Sequence, residues 1–407
     1  MSVVLERQTA ETAVDLARRV RAFVDGELVP RERELGGGGS EADRCLHELA
    51  ERARSQGLWA VHRPAELGGR GLSLRDYLLV AEQEGRSIFG PAVLGADVVL
   101  DAHMLHRHGS PEVRRRYLEP LLAGEAVPSY GMTEPGRSGS DPSLMVTKAD
   151  LVDGTWTVSG RKWWISNAGR AAFTTVVART EGLGRPPRQG FSMIVVPTDA
   201  PGFRVVRPLD VLGAHTGQYE IALDGVRVDA DHLLGPRGAG LPVAGERLGL
   251  GRMLRAMHWL GQAQRAFDLM CHRLTERATF SGRLADKQLM HQHVFDACTA
   301  ITSARSLVRS AAAGLDAGRS GATEVSIAKV TAARAVQDVL DRAVQVFGAE
   351  GLCGDTPLSA MYRAARSTRI LDGPDELHVT TTAHRILKGF ADRDTFDFTD
   401  TLDVGDR

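Results

Sequence analysis

Cysteine is scarce in this 407-residue chain: Cys45, Cys271, Cys298 and Cys353 stand far apart. No CxxC pair and no His/Cys cluster occurs, so no metal site is expected, and reduced thiols in a cytoplasmic setting fit best. Charge of one sign is lacking as well. Lys and Arg number 50 against 51 Asp and Glu, a formal net charge of -1. That argues against nucleic acid or an anionic membrane as a partner, while leaving room for a local basic patch. There is no run of eighteen apolar residues, so no membrane span is expected. The opening MSVVLERQTAETAVDLARRV carries acids and no apolar segment, unlike a secretory signal. A strand–GxGxxG–helix unit is missing, which argues against a Rossmann nucleotide site. No repeat at a fixed period occurs.

What is present is a soluble composition, 43% hydrophobic and 25% charged, in a chain long enough for two or three domains. The first 125 residues or so are helical in pattern. Val14, Ala17, Val20 and Val24 recur near helical spacing within Ala10–Val29, and Gly36–Ser40 is a glycine-rich break. Leu46–Trp59, Leu74–Ser87, Pro91–His108 and Val113–Leu122 follow, with Ser73 as an N-cap. From Met132 to Leu234 the texture turns to β-branched runs punctuated by Gly and Pro. Asp153-Gly154 between VTKADLV and TWTVSG is a two-residue hairpin signal. Thr174–Ala178, Phe191–Val196, Phe203–Val206 and Tyr219–Leu223 are short strands, spaced as in a small barrel or sandwich. Long alanine-rich helices then return over Leu248–Thr275, Lys287–Ala317, Glu324–Gly348 and Met361–Leu371, with a last one after Pro374. The expected fold is mainly α with a central β-domain. It comprises a helical N-terminal domain (1–128), a middle β-domain (129–236), a C-terminal four-helix bundle (237–391) and an acidic tail (392–407).

Three segments carry chemical potential. Tyr130 to Ser143, YGMTEPGRSGSDPS, combines small residues with hydroxyls, which let a backbone approach a ligand and bind carbonyl or phosphate oxygens. A solvent loop explains its composition equally well. Lys162 to Asn167, KWWISN, places two tryptophans in succession. On a regular strand one would fill the core and the other would offer a flat ring to a flat ligand; two core aromatics are the plainer alternative. Asp372 to His378, DGPDELH, ends one helix at Gly373 and starts another with Pro374 at its first position. Asp375 and Glu376 fall in the first turn, where the helix dipole favours acids. Capping explains Asp372 less well, because it sits at the break itself.

In order and spacing, YGMTEPGRSGSD, GRKWWISNAG, LDGVRVDADHLLGPRGAG, ERATFSGRLADKQ and QVFGAEGLCGDTPLSAMYRAARSTRILDGPDELH together resemble the acyl-CoA dehydrogenase family over residues 10 to 390. The DGPDE ending and the RLGLGR helix start resemble a branch whose members include dehydrogenase domains fused to phosphotransferase-like modules. The resemblance implies bound FAD and α,β-oxidation of an acyl thioester. It implies that Tyr130, Met132, Thr133, Gly139 and Ser140 line the flavin, with Thr133 on the pyrimidine edge and Ser140 near the phosphates and the substrate. Trp164 and Ser166 would cover one flavin face. Arg277, Phe280, Gln345 and Gly348 would reach the FAD of a neighbouring subunit in a homodimer or homotetramer, and Gln288 would also bind the cofactor. Pro374 and Glu376 would complete the cofactor set.

Asp372 falls where most of the family has its catalytic glutamate. The family's alternative position for that base, aligned on Gly261, holds Gly251, which has no side chain to offer. Arg252 and Gly373 would border the substrate. Three departures stand out. Aspartate reaches about 1.5 Å less far than glutamate, Ala349 replaces a common glycine, and Ser281 replaces another. The resemblance further implies that substrate binding expels water and raises the base's pKa, and that an electron-transfer flavoprotein takes the electrons. Alternatives within the resemblance are a flavin oxidase or monooxygenase, a dehydrogenase acting on a carrier-protein thioester, and a non-catalytic scaffold.

Overall fold

The computed structural model describes residues 11–393 except 183 and 320. Among the described residues, nine principal helices and one eight-stranded sheet organise the fold. Helix α1 (Ala13–Phe23) starts at Thr12, whose hydroxyl accepts from the Asp15 amide at 3.1 Å. The helical path then loosens into a π turn and a 3₁₀ turn as far as Arg31. Helix α2 is Gly39–Ser55, α3 is Leu74–Glu84 and α4 is Ala96–His108. Ser73 caps α3 as expected, its hydroxyl accepting from the Asp76 amide at 3.1 Å. After the sheet come α5 (Gly240–Glu276), α6 (Gln288–Asp316), α7 (Ala322–Phe347), α8 (Leu358–Thr368) and α9 (Asp375–Arg393). The acidic tail from 394 onward lies outside the described residues, as does the start of the chain through Ala10.

Helix α5 begins at Gly240 rather than Leu248. Pro242 falls in its first turn, where the missing amide hydrogen costs nothing. Gly240 is needed there, since a Cβ would lie 2.7 Å from Ser192 backbone atoms. The helix therefore starts eight residues before the expected position, pressed against a strand.

The sheet runs β6-β7-β3-β2-β4-β5-β8, with β1 alongside β4. Its strands are β1 (Pro128–Gly131), β2 (Lys148–Val152), β3 (Thr155–Ser166), β4 (Phe173–Arg179), β5 (Phe191–Pro197), β6 (Phe203–Val211), β7 (Ala214–Asp229) and β8 (Leu233–Leu234). Asp153 and Gly154 both take positive φ, 47° and 76°, the two left-handed residues that a tight β2–β3 hairpin requires. Strands β4 and β5 are buried on both faces. Phe173, Val177, Met193 and Val195 pack against Leu105 of α4 and Val243 of α5. The alternating Val176, Ala178, Ile194 and Val196 pack against Trp156 and Val226. The sheet is thus clamped between its own far strands and the helices.

Helices from both ends of the chain share one core, which joins Leu16, Val20, Leu49 and Leu78 to Leu260, Val308, Val339 and Leu340. Glu82 on α3 accepts two guanidinium bonds from Arg305 on α6, at 2.6 and 3.0 Å. Where α3 ends, α5 crosses at backbone contact. A Cβ on Gly261 would meet the Glu82 carbonyl oxygen at 2.1 Å, and one on Gly85 the His258 carbonyl oxygen at 2.1 Å. Backbone cannot yield as a side chain does, so Gly261→Ala is expected to cost about 3 kcal/mol, seen as a lower urea midpoint with an unchanged slope.

Candidate active site

Two clusters of polar groups, one on the sheet and one on the C-terminal helices, each touch α5 through an arginine. The first is built on β3. The register of β3 against β7 slips between Lys162 and Ile165, which breaks the strict alternation expected of Trp163 and Trp164. Lys162 and Ile165 point inward, whereas Trp163 is half-buried and Trp164 is 45% exposed with φ +56°. A bulge re-aims side chains in this way. Neither indole fills the core, so the expectation that one would is corrected.

Lys162 holds the bulge in place. Fully buried, its ammonium donates to the Met132 carbonyl at 2.8 Å and to Glu134 at 2.9 Å. Burial pushes its pKa down to about 8, with Glu134 opposing. For Glu134, burial pushes the carboxyl pKa up, but Lys162 and the amides of Val146 and Thr147 outweigh it, and the net shift is downward. This buried pair fixes the loop that carries Thr133. Thr133 donates its hydroxyl to the Trp163 carbonyl at 2.6 Å and accepts the Trp163 amide on its own carbonyl at 3.0 Å. Gly139 closes over it, since a Cβ there would lie 3.1 Å from the Thr133 methyl. Ser140 follows, half-buried, and Ser166 bonds Gln218 at the exposed end of β3.

The second cluster surrounds the break between α8 and α9. Asp372 has φ +57° and Gly373 φ +100°. Left-handed backbone at a non-glycine residue costs on the order of 1 kcal/mol. The break is secured by donors from three helices. Arg252 of α5 donates two bonds to the Asp372 carbonyl, at 3.0 and 3.1 Å. His378 of α9 donates to the same oxygen at 3.2 Å. Lys329 of α7 donates to the Gly373 carbonyl at 2.9 Å.

The Asp372 carboxylate, 11% exposed, meets Arg255 of α5 at 2.5 Å. Burial pushes the Asp372 pKa up, but Arg255 overrides it, and the net shift is downward. In the free protein the base is therefore held low by a cation that periodicity alone did not single out. Asp375 also differs from expectation. It is 2% exposed as a side chain and paired with Lys329, Arg334 and Arg369 at 3.5, 3.3 and 2.8 Å, so it ties elements together beyond easing a helix dipole. Pro374 stands just before α9, its carbonyl accepting from Leu377 and His378, one place earlier than expected.

Helix α5 links the clusters. Arg247, Gly251 and Arg255 recur at intervals of four and share a face. The Arg247 guanidinium lies over the Tyr130 ring at 4.2 Å and bonds Asp101 of α4 at 2.8 Å. Burial pushes the Tyr130 pKa up to about 12, against Arg247. Beside the Ser140 loop, a groove of about 560 Å³ is lined by Asp141, Pro142, Ser143, Arg188, Leu241, Pro242 and Gly245.

The structure thus gathers Tyr130, Met132, Thr133, Gly139, Ser140, Trp164 and Ser166 on one side and Asp372, Gly373 and Arg252 on the other. Arg277, Phe280, Gln288, Gln345, Gly348 and Glu376 point outward and are exposed in the single chain. Sequence reading passed over Lys162, Glu134, Lys329, Arg247 and Arg255. The available signal was a charged residue in an otherwise apolar strand or helix, which is rare unless paired.

Three family models match the chain. They are described as acyl-CoA dehydrogenase N-terminal domain over residues 10–125, middle domain over 129–226 and C-terminal domain over 238–387. Acyl-CoA dehydrogenase family member 11 of Rattus norvegicus is 35% identical over 92% of this chain and 50% of its own length. This chain spans about half the length of such relatives. "Probable acyl-CoA dehydrogenase FadE2" of Mycobacterium tuberculosis is 34% identical over 92% of this chain and 95% of its own. The solved butyryl-CoA dehydrogenase of Megasphaera elsdenii superposes with a TM-score of 0.83 at 28% identity, over 92% of this chain and 98% of that one.

Removing one partner of a buried pair strands the other charge. Glu134→Ala is expected to cost about 3–5 kcal/mol in urea unfolding, with part regained when Lys162→Met is added. An additive double variant would mean that the two groups do not act as a pair.

Proposed function

The chain belongs to the acyl-CoA dehydrogenase family of flavoprotein oxidoreductases, and from that premise we propose that it oxidises an acyl thioester between its α and β carbons, with FAD bound and Asp372 as the base. The observation that carries this reading is the carboxylate at the α8–α9 break. It sits at the break between two helices and is joined by arginines to α5, whose Arg247 in turn lies over Tyr130 at the start of the Thr133 loop.

The residues fit a flat cofactor. An exposed indole on a bulge offers a face, and a glycine at 139 keeps the loop thin. The Thr133 hydroxyl hydrogen is committed to Trp163, so toward a ligand its oxygen serves as an acceptor, as a pyrimidine N–H needs. Ser166 extends the same edge. When bound, FAD supplies the acceptor for the hydride that leaves the β-carbon.

Arg277, Phe280, Gln288, Gln345 and Gly348 would serve the cofactor of a second copy, with Pro374 and Glu376 at the near rim. Self-association is supported by large apolar side chains left open around them: Phe280 is 104% exposed, Leu289 77% and Phe295 69%. The groove beside Ser140 suits a pantetheine arm, which coenzyme A and a carrier protein share. An electron-transfer flavoprotein is the proposed acceptor of the electrons.

Asp372 breaks the α-carbon's C–H bond and keeps the proton on a carboxylate oxygen. The electron pair moves into the new double bond as hydride departs from the β-carbon. Because Arg255 lowers its pKa, Asp372 is fully ionised at neutral pH but is a weak base for so weak an acid. Donors on the thioester carbonyl must therefore carry part of the barrier. The Asp372 amide, set by the left-handed turn, is the proposed protein donor.

Asp372→Asn is expected to stay yellow while anaerobic flavin bleaching by acyl-CoA falls by roughly 10³-fold or more; near-normal bleaching would remove the assignment. A carboxylate with a lowered pKa is competent above that pKa and fails only below it. The acid limb of kcat/KM should thus lie below the ordinary carboxylate range. In Arg255→Met the largest opposing cation is gone and only Arg252 and Arg247 still counter burial, so the limb should move upward, while a limb that stays put would show that Arg255 does not set the base.

A further inference from the structure

All four cysteines are free thiols. Cys45 is fully buried, and Cys353 donates to the Glu350 carbonyl at 3.2 Å. The other two stand on neighbouring antiparallel helices, Cys271 on α5 and Cys298 on α6, joined by the hairpin of residues 277–287. A bond across the seam sets their register. Arg305 of α6 donates to the Gln264 side-chain oxygen of α5 at 3.0 Å. Cys271 lies seven residues after Gln264, and Cys298 seven residues before Arg305. Seven residues are close to two full turns, about 10.5 Å of rise, and return to nearly the same face. Because the helices run in opposite directions, both steps lead the same way. Cys271 therefore faces Cys298 as Gln264 faces Arg305.

The seam between the two helices is narrow. Ala263 and Ala266 on α5 and Ala297 and Ala304 on α6 are all fully buried. Helices lined by such small side chains approach to about 8 Å, the low end of the usual range. With Cα atoms about 2.3 Å from each axis, residues flanking the line of contact fall within the roughly 4.4–6.8 Å that a disulfide spans. The two thiols also sense one another. Burial first, then Asp268 and Cys298 itself, push the Cys271 thiol up. Cys271 is half-buried and Cys298 is exposed at the edge of the seam.

We propose that Cys271 and Cys298 form a reversible disulfide that links α5 to α6, with a small disulfide such as glutathione disulfide as the oxidant. The exposed Cys298 thiolate attacks one glutathione sulfur, a mixed disulfide forms and one glutathione thiolate leaves. The Cys271 thiolate then attacks the Cys298 sulfur, the protein S–S bond forms and the second glutathione leaves. The two protein thiols lose two electrons, the glutathione disulfide gains them, and the two thiol protons end on the two glutathiones. The link closes a loop that contains Arg277, Phe280 and Gln288, so it restrains the hairpin proposed above to serve the cofactor of a second copy. Where the bond forms is independent of the proposed dehydrogenation; only this bearing on the cofactor rests on that reading.

The test takes the FAD-loaded full chain, freshly reduced and freed of reductant, through glutathione buffers from fully reduced to fully oxidised. Thiols titrated after denaturation should fall from the four in the sequence by one pair. The protein should stay a single chain on a non-reducing gel, mass spectrometry should find the Cys271 and Cys298 peptides joined, and dithiothreitol should restore every thiol. Cys271→Ser and Cys298→Ser should each abolish the link, while the double variant Cys45→Ser/Cys353→Ser should keep it. FAD release on dilution should slow in the linked protein and stay unchanged by the same buffers in Cys298→Ser. Full survival of the thiols in glutathione disulfide, a product that stops at a mixed disulfide on Cys298, or a bond between two chains would overturn the inference. Release that a confirmed link leaves unchanged would overturn its bearing on the cofactor. A protein that takes up no FAD removes the proposed function, and the thiol titration still decides the bond.

Discussion

The helix break at Asp372-Gly373 is a strained turn whose two buried carbonyls need donors, and the C-terminal half of the molecule is arranged to supply them. Two carbonyl oxygens accept from Arg252, Lys329 and His378, and the intervening carboxylate meets Arg255. The donors come from α5, α7 and α9, so the turn cannot relax unless three packed helices move together. Asp375, one residue into α9, adds a buried anchor that reaches Lys329, Arg334 and Arg369. A carboxylate held by this many rigid supports keeps its position to within the small tolerance that proton transfer demands. The missing methylene of aspartate is tolerable for the same reason: the turn, rather than side-chain length, decides where the oxygen stands.

The sheet reaches the same end by other means. There a buried lysine and glutamate fix a bulge and a loop to one another, and the bulge turns an indole outward. The two clusters belong to different layers, yet both lean on α5, which passes from the sheet at Gly240 to the helical core at Gly261. Gly261 and Gly85 let that helix come close enough to α3 to be held rigidly. The fold shared with its relatives explains the layout.

Much of this was legible in the sequence. The helical periodicity, the Asp-Gly hairpin and the Ser73 cap follow from local rules, and each stands in the structure. The order of helices, sheet and helices follows from the change in periodicity and β-branched texture along the chain. The site was legible as a set of motifs rather than as an arrangement. Thr133, Trp164 and Asp372 were found because each breaks a local pattern or matches a family motif. Arg247, Arg255, Lys162 and Lys329 were not, because their partners lie from 28 to 146 positions away and no window of sequence joins them. The tryptophan pair misled because strict alternation assumes an unbroken strand, and the slip between Lys162 and Ile165 depends on a partner strand. The start of α5 was placed late because nothing local to Gly240 shows the strand pressed against it.

Proton removal by Asp372 can be watched apart from hydride transfer. A 3-thiaacyl-CoA lacks a β-carbon able to give up hydride, so in D₂O its α-protons report the base alone, by NMR or mass spectrometry of the recovered thioester. Exchange catalysed by the FAD-loaded protein and lost in Asp372→Asn, with affinity for the thioester retained, is the result this account predicts. Exchange that continues at the same rate without the carboxylate, or its absence in the unaltered protein despite tight binding, would contradict it.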